Sequence, residues 1–390
     1  MWCLDAAIAL RLLLAGAVWA GLSRLAALKN AQRLSAKALL ALDVALIAWV
    51  DWKLCVFYLI YTAATWLLAL LVRAVRGGPD RPASTGAKAL FVTACLLCAA
   101  PFLYLRLGEL VSGLPKLLTL VGFAYNMLKA IDGIYYVYYT GQRLEPVSYA
   151  GFLLFFPTFT AGPILRYRDF LRDLEQPSPV TGERFTEGVK RIIRGYFKKV
   201  VLLSLVNLLL ARLSEAQPHF YWSVAACLVS YALLWLDMSG YADIAIGLGA
   251  LMGFNVAENF KHPLQAASFT QFWRNWHVSL TDWIREHIFV VLNKKQLTKY
   301  HGAVIGFGTM MVMNLWHGVS PVFLADGLLT GSLLAVENLT GLSTVNRRKV
   351  KKSYFRFRCA LVTLLFGFDT IFYTLSAEQL HRVLQGFLRL

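Results

Sequence analysis

Charge is scarce in this chain, and acidic charge scarcest of all. Only 16% of its 390 residues are charged, with 22 acidic side chains against 39 basic ones. Ordinary soluble domains carry roughly 25%, so the shortage argues against the two or three water-soluble domains that the length would otherwise allow. Linkers are missing too. The only linker-like stretch, residues 77–86 (GGPDRPASTG), is too short to separate domains. The six cysteines fall mostly in apolar stretches, and Cys95-x-x-Cys98 has no second pair or histidine cluster to complete a zinc site. They read as core residues, and no metal site is expected. There is no GxSxG elbow, no phosphate-binding Walker loop and no dinucleotide fingerprint. No internal repeat of the kind that marks inverted-repeat transporters is present. No secretory signal is expected either: the first apolar run carries Asp5 and Arg11, and its more basic flank, 24–37, suggests a retained span with its N-terminus outside.

What the chain has instead is apolar length. Hydrophobic residues make up 58%, in runs long enough to cross a hydrocarbon core. Candidate spans lie at about 2–22, 36–50, 54–75, 88–107, 116–139, 147–165, 197–213, 220–238, 240–254, 302–317, 320–338 and 356–375. The expected fold is therefore all-α: one polytopic membrane domain over 1–390, with about 10–12 transmembrane helices plus re-entrant or interfacial ones. Asp51-Trp52-Lys53 suggests a tight turn or a half-crossing. The net charge of +17 sits in short connections (24–37, 73–88, 184–199, 294–299, 347–358), which implies positive-inside topology and contact with anionic lipid or an acidic partner, not nucleic acid. Residues 180–199 form an amphipathic basic pattern with Thr181 as N-cap and Glu183 in the first turn, suited to the cytoplasmic interface.

Four stretches can carry chemistry. In 155–168 (FFPTFTAGPILRYR), Pro157, Gly162 and Pro163 break a helix at membrane depth, and Arg166 and Arg168 can reach a phosphate or carboxylate, or simply end a kinked helix. In 235–249 (WLDMSGYADIAIGLG), Asp237 and Asp243 need partners, which Arg274, Arg285 or the histidines can supply; proton relay is the alternative to structural pairing. In 272–287, Trp273, Trp276, His277, Leu280 and Ile284 fall on one face of a helix. In 314–318 (NLWHG), His317 follows a long uncharged run, where a desolvated neutral imidazole can act as general base toward a hydroxyl. If Lys294, Lys295 and Lys299 mark the cytoplasmic face, His317 lies about 15 residues, or roughly 22 Å of helix, beyond them. His277 lies at a similar distance on the other arm. Ionisable residues at such depth are functional candidates by default.

The combination FFPTFTAGPILRYRDF, LDMSGYADIAIGLGALMGFNVAENF, QFWRNWHVSLTDWIREHIF and NLWHG resembles the membrane-bound O-acyltransferase (MBOAT) superfamily, within its bacterial branch of D-alanyl transfer and alginate O-acetylation proteins. The likeness covers roughly 115–327. It implies a ring of helices around a thin centre with a tunnel, His317 as catalytic histidine and His277 as a second functional one. Candidate substrate-binding residues are then Trp316, Trp276, Asn314, Ser279, Arg274, Asp237 and Arg166. Asn314 stands where relatives commonly have glycine. No cofactor is expected to be permanently bound. The implied donor is a thioester on the phosphopantetheine arm of an acidic acyl carrier protein, or on coenzyme A, and the implied acceptor is a hydroxyl of a cell-envelope polymer or an extracytoplasmic transfer partner. The implied location is a bacterial plasma membrane. Length and the stretch 155–170 favour D-alanyl transfer to a polymer such as teichoic acid. O-acetylation of an exported polysaccharide and, in another class, a proton-coupled transporter using Asp237 and Asp243 are the alternatives.

Overall fold

The computed structural model describes residues 32–80, 83–110, 122–289 and 298–389, together with 11, 14–16, 18, 19 and 21. Most of the expected span 2–22, the start of 116–139, and Lys294 and Lys295 lie outside them. Among the described residues the chain is helical, with no strand beyond one isolated antiparallel bridge between Phe260 and Trp276.

The chain divides into two compact units. The first contains α1 (Gln32–Val50), α2 (Trp52–Arg76), α3 (Thr85–Leu110), α4 (Phe123–Thr140), α5 (Pro146–Leu154), α6 (Tyr167–Glu175) and most of α7 (Gly182–Tyr196), with the segment Tyr241–Ala257. The second takes up Tyr196–Gly240 and Glu258–Leu390. It holds a π-helical turn (Phe197–Leu202), α8 (Leu203–Glu215), the first part of α9 (Phe220–Leu251), α10 (Phe269–Asn275), α11 (Val278–Ile284), α12 (Lys299–His317), α13 (Pro321–Thr340), α14 (Lys352–Thr374) and α15 (Ala377–Gly386).

By length and composition, α2, residues Thr85–Gly108 of α3, α9 and α13 can each cross a membrane. With α1, α12 and α14 at expected span positions, this is an all-α polytopic membrane protein. One detail differs from the sequence expectation, and the tight turn expected at Asp51 is present. Spans 220–238 and 240–254 are one continuous helix of 32 residues, because a lone Gly240 costs a helix only about 1 kcal/mol and no proline accompanies it. Asp51 is a helix N-cap, its carboxylate accepting from Lys53 N (2.9 Å) and Leu54 N (3.1 Å), so only one residue separates α1 from α2.

In the first unit the expected helix break is present. α5 ends at Leu154 and a 3-10 turn follows at Phe156–Thr158. Residues 155–159 are all buried, so their freed backbone groups need protein partners. Asp43 accepts from Phe156 N (3.0 Å), Asn126 donates to Phe159 O (2.9 Å), and Lys129 Nζ reaches Phe152 O (3.2 Å) and Leu153 O (3.4 Å). Gly162 has a left-handed φ of 112°, and a Cβ there would meet the Tyr241 ring at 3.0 Å. Helix α7 starts where expected, with Arg184 N on Thr181 Oγ1 (3.2 Å). It buries Gly188 and Ile192 against 247–251 and leaves Phe185 and Ile193 exposed.

In the second unit α12 and α13 pack closely along their length. Gly331 lies on Phe307, Gly327 on Met311 and Asn314, and Gly306 on Leu334, so small residues let the two backbones approach. Helix α15, closed by a Ser376/Gln379 capping box, packs with Leu210 of α8, Ala226 and Cys227 of α9, and Ile371 of α14 in an apolar cluster.

Candidate active site

The expected single helix over 272–287 is instead two short helices, α10 and α11, with Trp276 and His277 between them. Neither glycine nor proline marks the break. It is imposed from outside, by the segment 259–261. Lys261 N donates to Asn275 O (2.9 Å) and Val278 N to Asn259 O (2.9 Å). The Asn259 side chain accepts from both Ser279 N (3.0 Å) and Ser279 Oγ (2.8 Å). Asn259 therefore acts as a splint for the kink, a role the sequence did not signal. At its centre His277 adopts a left-handed backbone (φ 47°), shared among the described non-glycine residues only with His262. Such a conformation costs roughly 1–3 kcal/mol and tends to persist at functional sites.

The kink fixes two side chains. Trp276 turns into an aromatic cluster, stacked on Phe272 (5.4 Å, 20°) and edge-on to Phe260 (4.9 Å) and Phe366 (4.9 Å). His277 is buried, 6% exposed. Ser279 is held by Asn259 and buried.

His317 is the last residue of α12. The expected desolvated pocket is not what surrounds it: the side chain is exposed, because the helix ends there and Gly318 turns the chain away. A Cβ on Gly318 would meet the Phe323 ring at 2.4 Å, which accounts for the glycine. The imidazole has Tyr373 edge-on (5.3 Å, 77°), with Phe323 at 6.4 Å and Trp316 at 6.1 Å. Asn314, one turn earlier, is buried and fully engaged. Its Nδ2 donates to Met310 O (3.2 Å) and Thr330 Oγ1 (3.2 Å), and its Oδ1 accepts from Tyr373. It links α12, α13 and α14 behind His317.

The remaining candidates lie elsewhere. Arg274 and Arg285 are exposed and, with Lys261, line a cavity of about 790 Å³ that runs past Val278, Thr281, Met310 and Met313. Neither histidine lines it. Asp237 pairs with Lys199 (2.6 Å), whose side chain is 0% exposed, and Asp243 pairs with Arg191 (2.8 Å) and Arg194 (3.0 Å). The partners are thus basic residues of 191–199, not Arg274, Arg285 or the histidines. Arg285 is paired locally with Asp282 (2.9 Å). Arg166 belongs to the first unit, buried at the start of α6 and 3.9 Å from Asp132. Sequence reasoning missed Asn259, Tyr373, Asp326 and Asp369. The two aspartates carried a usable signal, being acidic residues inside apolar runs.

An all-helical membrane chain with one histidine at a strained kink and another at a helix end defines a class before it defines a protein. The membrane-bound O-acyltransferase profile matches residues 134–374, and the chain belongs to that family. Both histidines and Tyr373 fall within the match. The chain is 34% identical over 267 residues to a probable alginate O-acetylase of Pseudomonas fluorescens, covering 67% of this chain and 52% of that one. It is 28% identical over 289 residues to a teichoic acid D-alanyltransferase of Streptococcus thermophilus, covering 68% of each. A peptidoglycan O-acetyltransferase of Helicobacter pylori is 28% identical over 197 residues, 49% of this chain and 37% of that one. The match therefore spans about half the length of the alginate O-acetylases.

Proposed function

We propose that this chain is a plasma-membrane O-acyltransferase of a bacterium, moving an acyl group from a phosphopantetheine thioester to a hydroxyl of an exported cell-envelope polymer. The observation that carries it is a membrane-bound O-acyltransferase match that contains both His277, buried at a strained backbone kink, and His317, exposed at the end of α12. His317, exposed at the end of α12, accepts the acceptor's hydroxyl proton as that oxygen attacks the thioester carbonyl carbon. The C–O bond forms, the C–S bond breaks, and the imidazolium returns the proton to the departing thiolate. His277 is the second functional histidine, oriented by the Asn259 splint. The cavity beside it is within the usual ligand-pocket range of about 300–1,000 Å³, and Lys261, Arg274 and Arg285 at its wall suit the donor's phosphate. That donor chemistry is common to coenzyme A and to a carrier protein's prosthetic arm.

The acyl group has two readings, each with its own support. Higher identity to the alginate O-acetylases favours acetyl. The stretch 155–170, and a match over 68% of a teichoic acid D-alanyltransferase, favour D-alanyl carried on an acidic carrier protein. The transporter alternative loses its footing, since the two aspartates it relied on are taken up in ion pairs. Thioester loss measured in nanodiscs, with acetyl-coenzyme A and separately with a D-alanyl-loaded carrier, tests the function. Turnover of one donor by the wild type, abolished in His317→Ala while donor binding survives, is expected. Equal turnover by the variant, or consumption of neither donor with acceptor present, would sink the proposal.

A further inference from the structure

A second cavity, of about 530 Å³, lies wholly within the first unit and has no part in the steps above. It opens between α7 and residues 246–256, the end of α9 and the loop after it. Four basic side chains line it, Arg184, Lys190, Arg191 and Arg194, with one acid, Glu187. Positions 184, 187, 191 and 194 recur at steps of three and four residues, so one stripe of α7 faces the cavity.

The walls are braced. Arg184 donates through Nε to Ala250 O (3.0 Å) and through Nη2 to Phe254 O (3.0 Å). Asn255 accepts from the same guanidinium (3.2 Å) and is held in turn by Asp173, which accepts from its N–H (2.7 Å) and its Nδ2 (3.1 Å). Arg194 donates to Asp243 through Nε (3.2 Å) and Nη2 (3.0 Å). With that edge taken, a planar guanidinium has a second edge, Nη1–Nη2, to offer an anion. Lys190 adds an ammonium at the rim, paired with Glu187 (2.8 Å). Four cations thus stand against two carboxylates, Glu187 and Asp243, and the cavity carries surplus positive charge. The opposite flank of α7 bears on where an anion would come from. Phe185 and Ile193 are exposed there, eight residues apart on one stripe. Apolar side chains presented in this way seat a basic amphipathic helix in the membrane interface, at the depth of lipid headgroups.

We propose that this cavity is a phosphate-ester site filled by the headgroup of an anionic phospholipid. Arg194 and Lys190 meet the phosphate, and Arg184 forms the fixed wall. The site does not depend on the function proposed for His317.

The test uses the full chain in detergent, with phosphatidylglycerol carrying a fluorescent acyl chain as the probe and anisotropy as the readout. Saturable binding is expected, weakened about tenfold by Arg194→Gln and by Lys190→Glu, the change that goes with one charge-assisted hydrogen bond. Phosphatidylcholine with the same chain should bind more weakly, because its choline adds positive charge to a basic cavity. Arg348→Gln, in the exposed basic run 347–358, should leave binding unchanged. Unchanged binding in both cavity variants overturns the site. So does an equal loss in Arg348→Gln, the mark of diffuse attraction to net positive charge. Phosphatidylcholine bound as tightly as phosphatidylglycerol overturns the preference for an anionic lipid. Displacement of the probe by glycerol 3-phosphate or inorganic phosphate at the lipid's own concentration would keep the phosphate and overturn its lipid source. Lys190 and Glu187 are both 66% exposed, so Lys190→Glu serves even where Arg194→Gln does not fold.

Discussion

At the scale of single residues, His277 keeps a left-handed backbone that costs an L-residue about 1–2 kcal/mol. Asparagine enters that conformation more easily than most residues. His277→Asn is therefore expected to keep a thermal midpoint near that of the wild type while losing acyl transfer, which would separate the imidazole's role from the kink's. Lys199 poses the opposite case. Its ammonium is fully buried against a partly exposed Asp237, so Lys199→Met should destabilise by up to about 3 kcal/mol. A double variant that also replaces Asp237 with leucine should recover much of that loss, read by thermal unfolding in detergent. The Trp-His pairs were legible in the sequence because the chemistry-bearing residues sit side by side. The partners of Asp237 and Asp243 were not, because they lie 38 to 52 positions away. Such pairing is decided by which helices come to lie together.

Between residue and molecule lie the helices and the joints between them. The apolar period running through 272–287 is continuous, which is why it suggested a single helix. Hydrogen bonds from Asn259 outweigh that local preference and split it. Asn259→Ala removes the side-chain oxygen that the Ser279 N–H and hydroxyl share in a buried setting. It should cost about 1–3 kcal/mol and reduce turnover, with thermal shift and donor kinetics as the readouts. At the α12–α13 joint, a Cβ on Gly331 would meet Phe307 at 2.9 Å. Gly331→Val should push these helices apart at a cost of about 1–3 kcal/mol, lowering the thermal midpoint and loosening the Asn314–Thr330 contact. Helix positions were largely readable from apolar run length. Joints were not, since they depend on contacts made across the chain.

For the molecule as a whole, the net charge of +17 predicts how donors approach. An acidic carrier should lose turnover as salt rises, because the screening length falls to about 10 Å at 0.1 M. Coenzyme A, held by few charges in a cavity, should lose less; the ratio of the two rates against ionic strength is the measurement. The membrane character and all-helical class followed from composition and the length of the apolar runs, whereas the division into two units could not be read from them. One helix sets a scale for the rest. At 32 residues, α9 is about 48 Å long, against a hydrocarbon core of about 30 Å. To fit wholly inside it would have to tilt by roughly 50°, beyond the range of about 0–40° seen for membrane helices. One end must therefore leave the oil. Phe220, Tyr221 and Trp222 are exposed at its start, an aromatic girdle suited to one headgroup layer. Within the first unit, Asp243 ties Arg191 and the half-exposed Arg194 of α7 to the last part of this helix, so lipid phosphates that bind the same guanidinium groups would compete with it, and lipid composition becomes a handle on how firmly α7 is held.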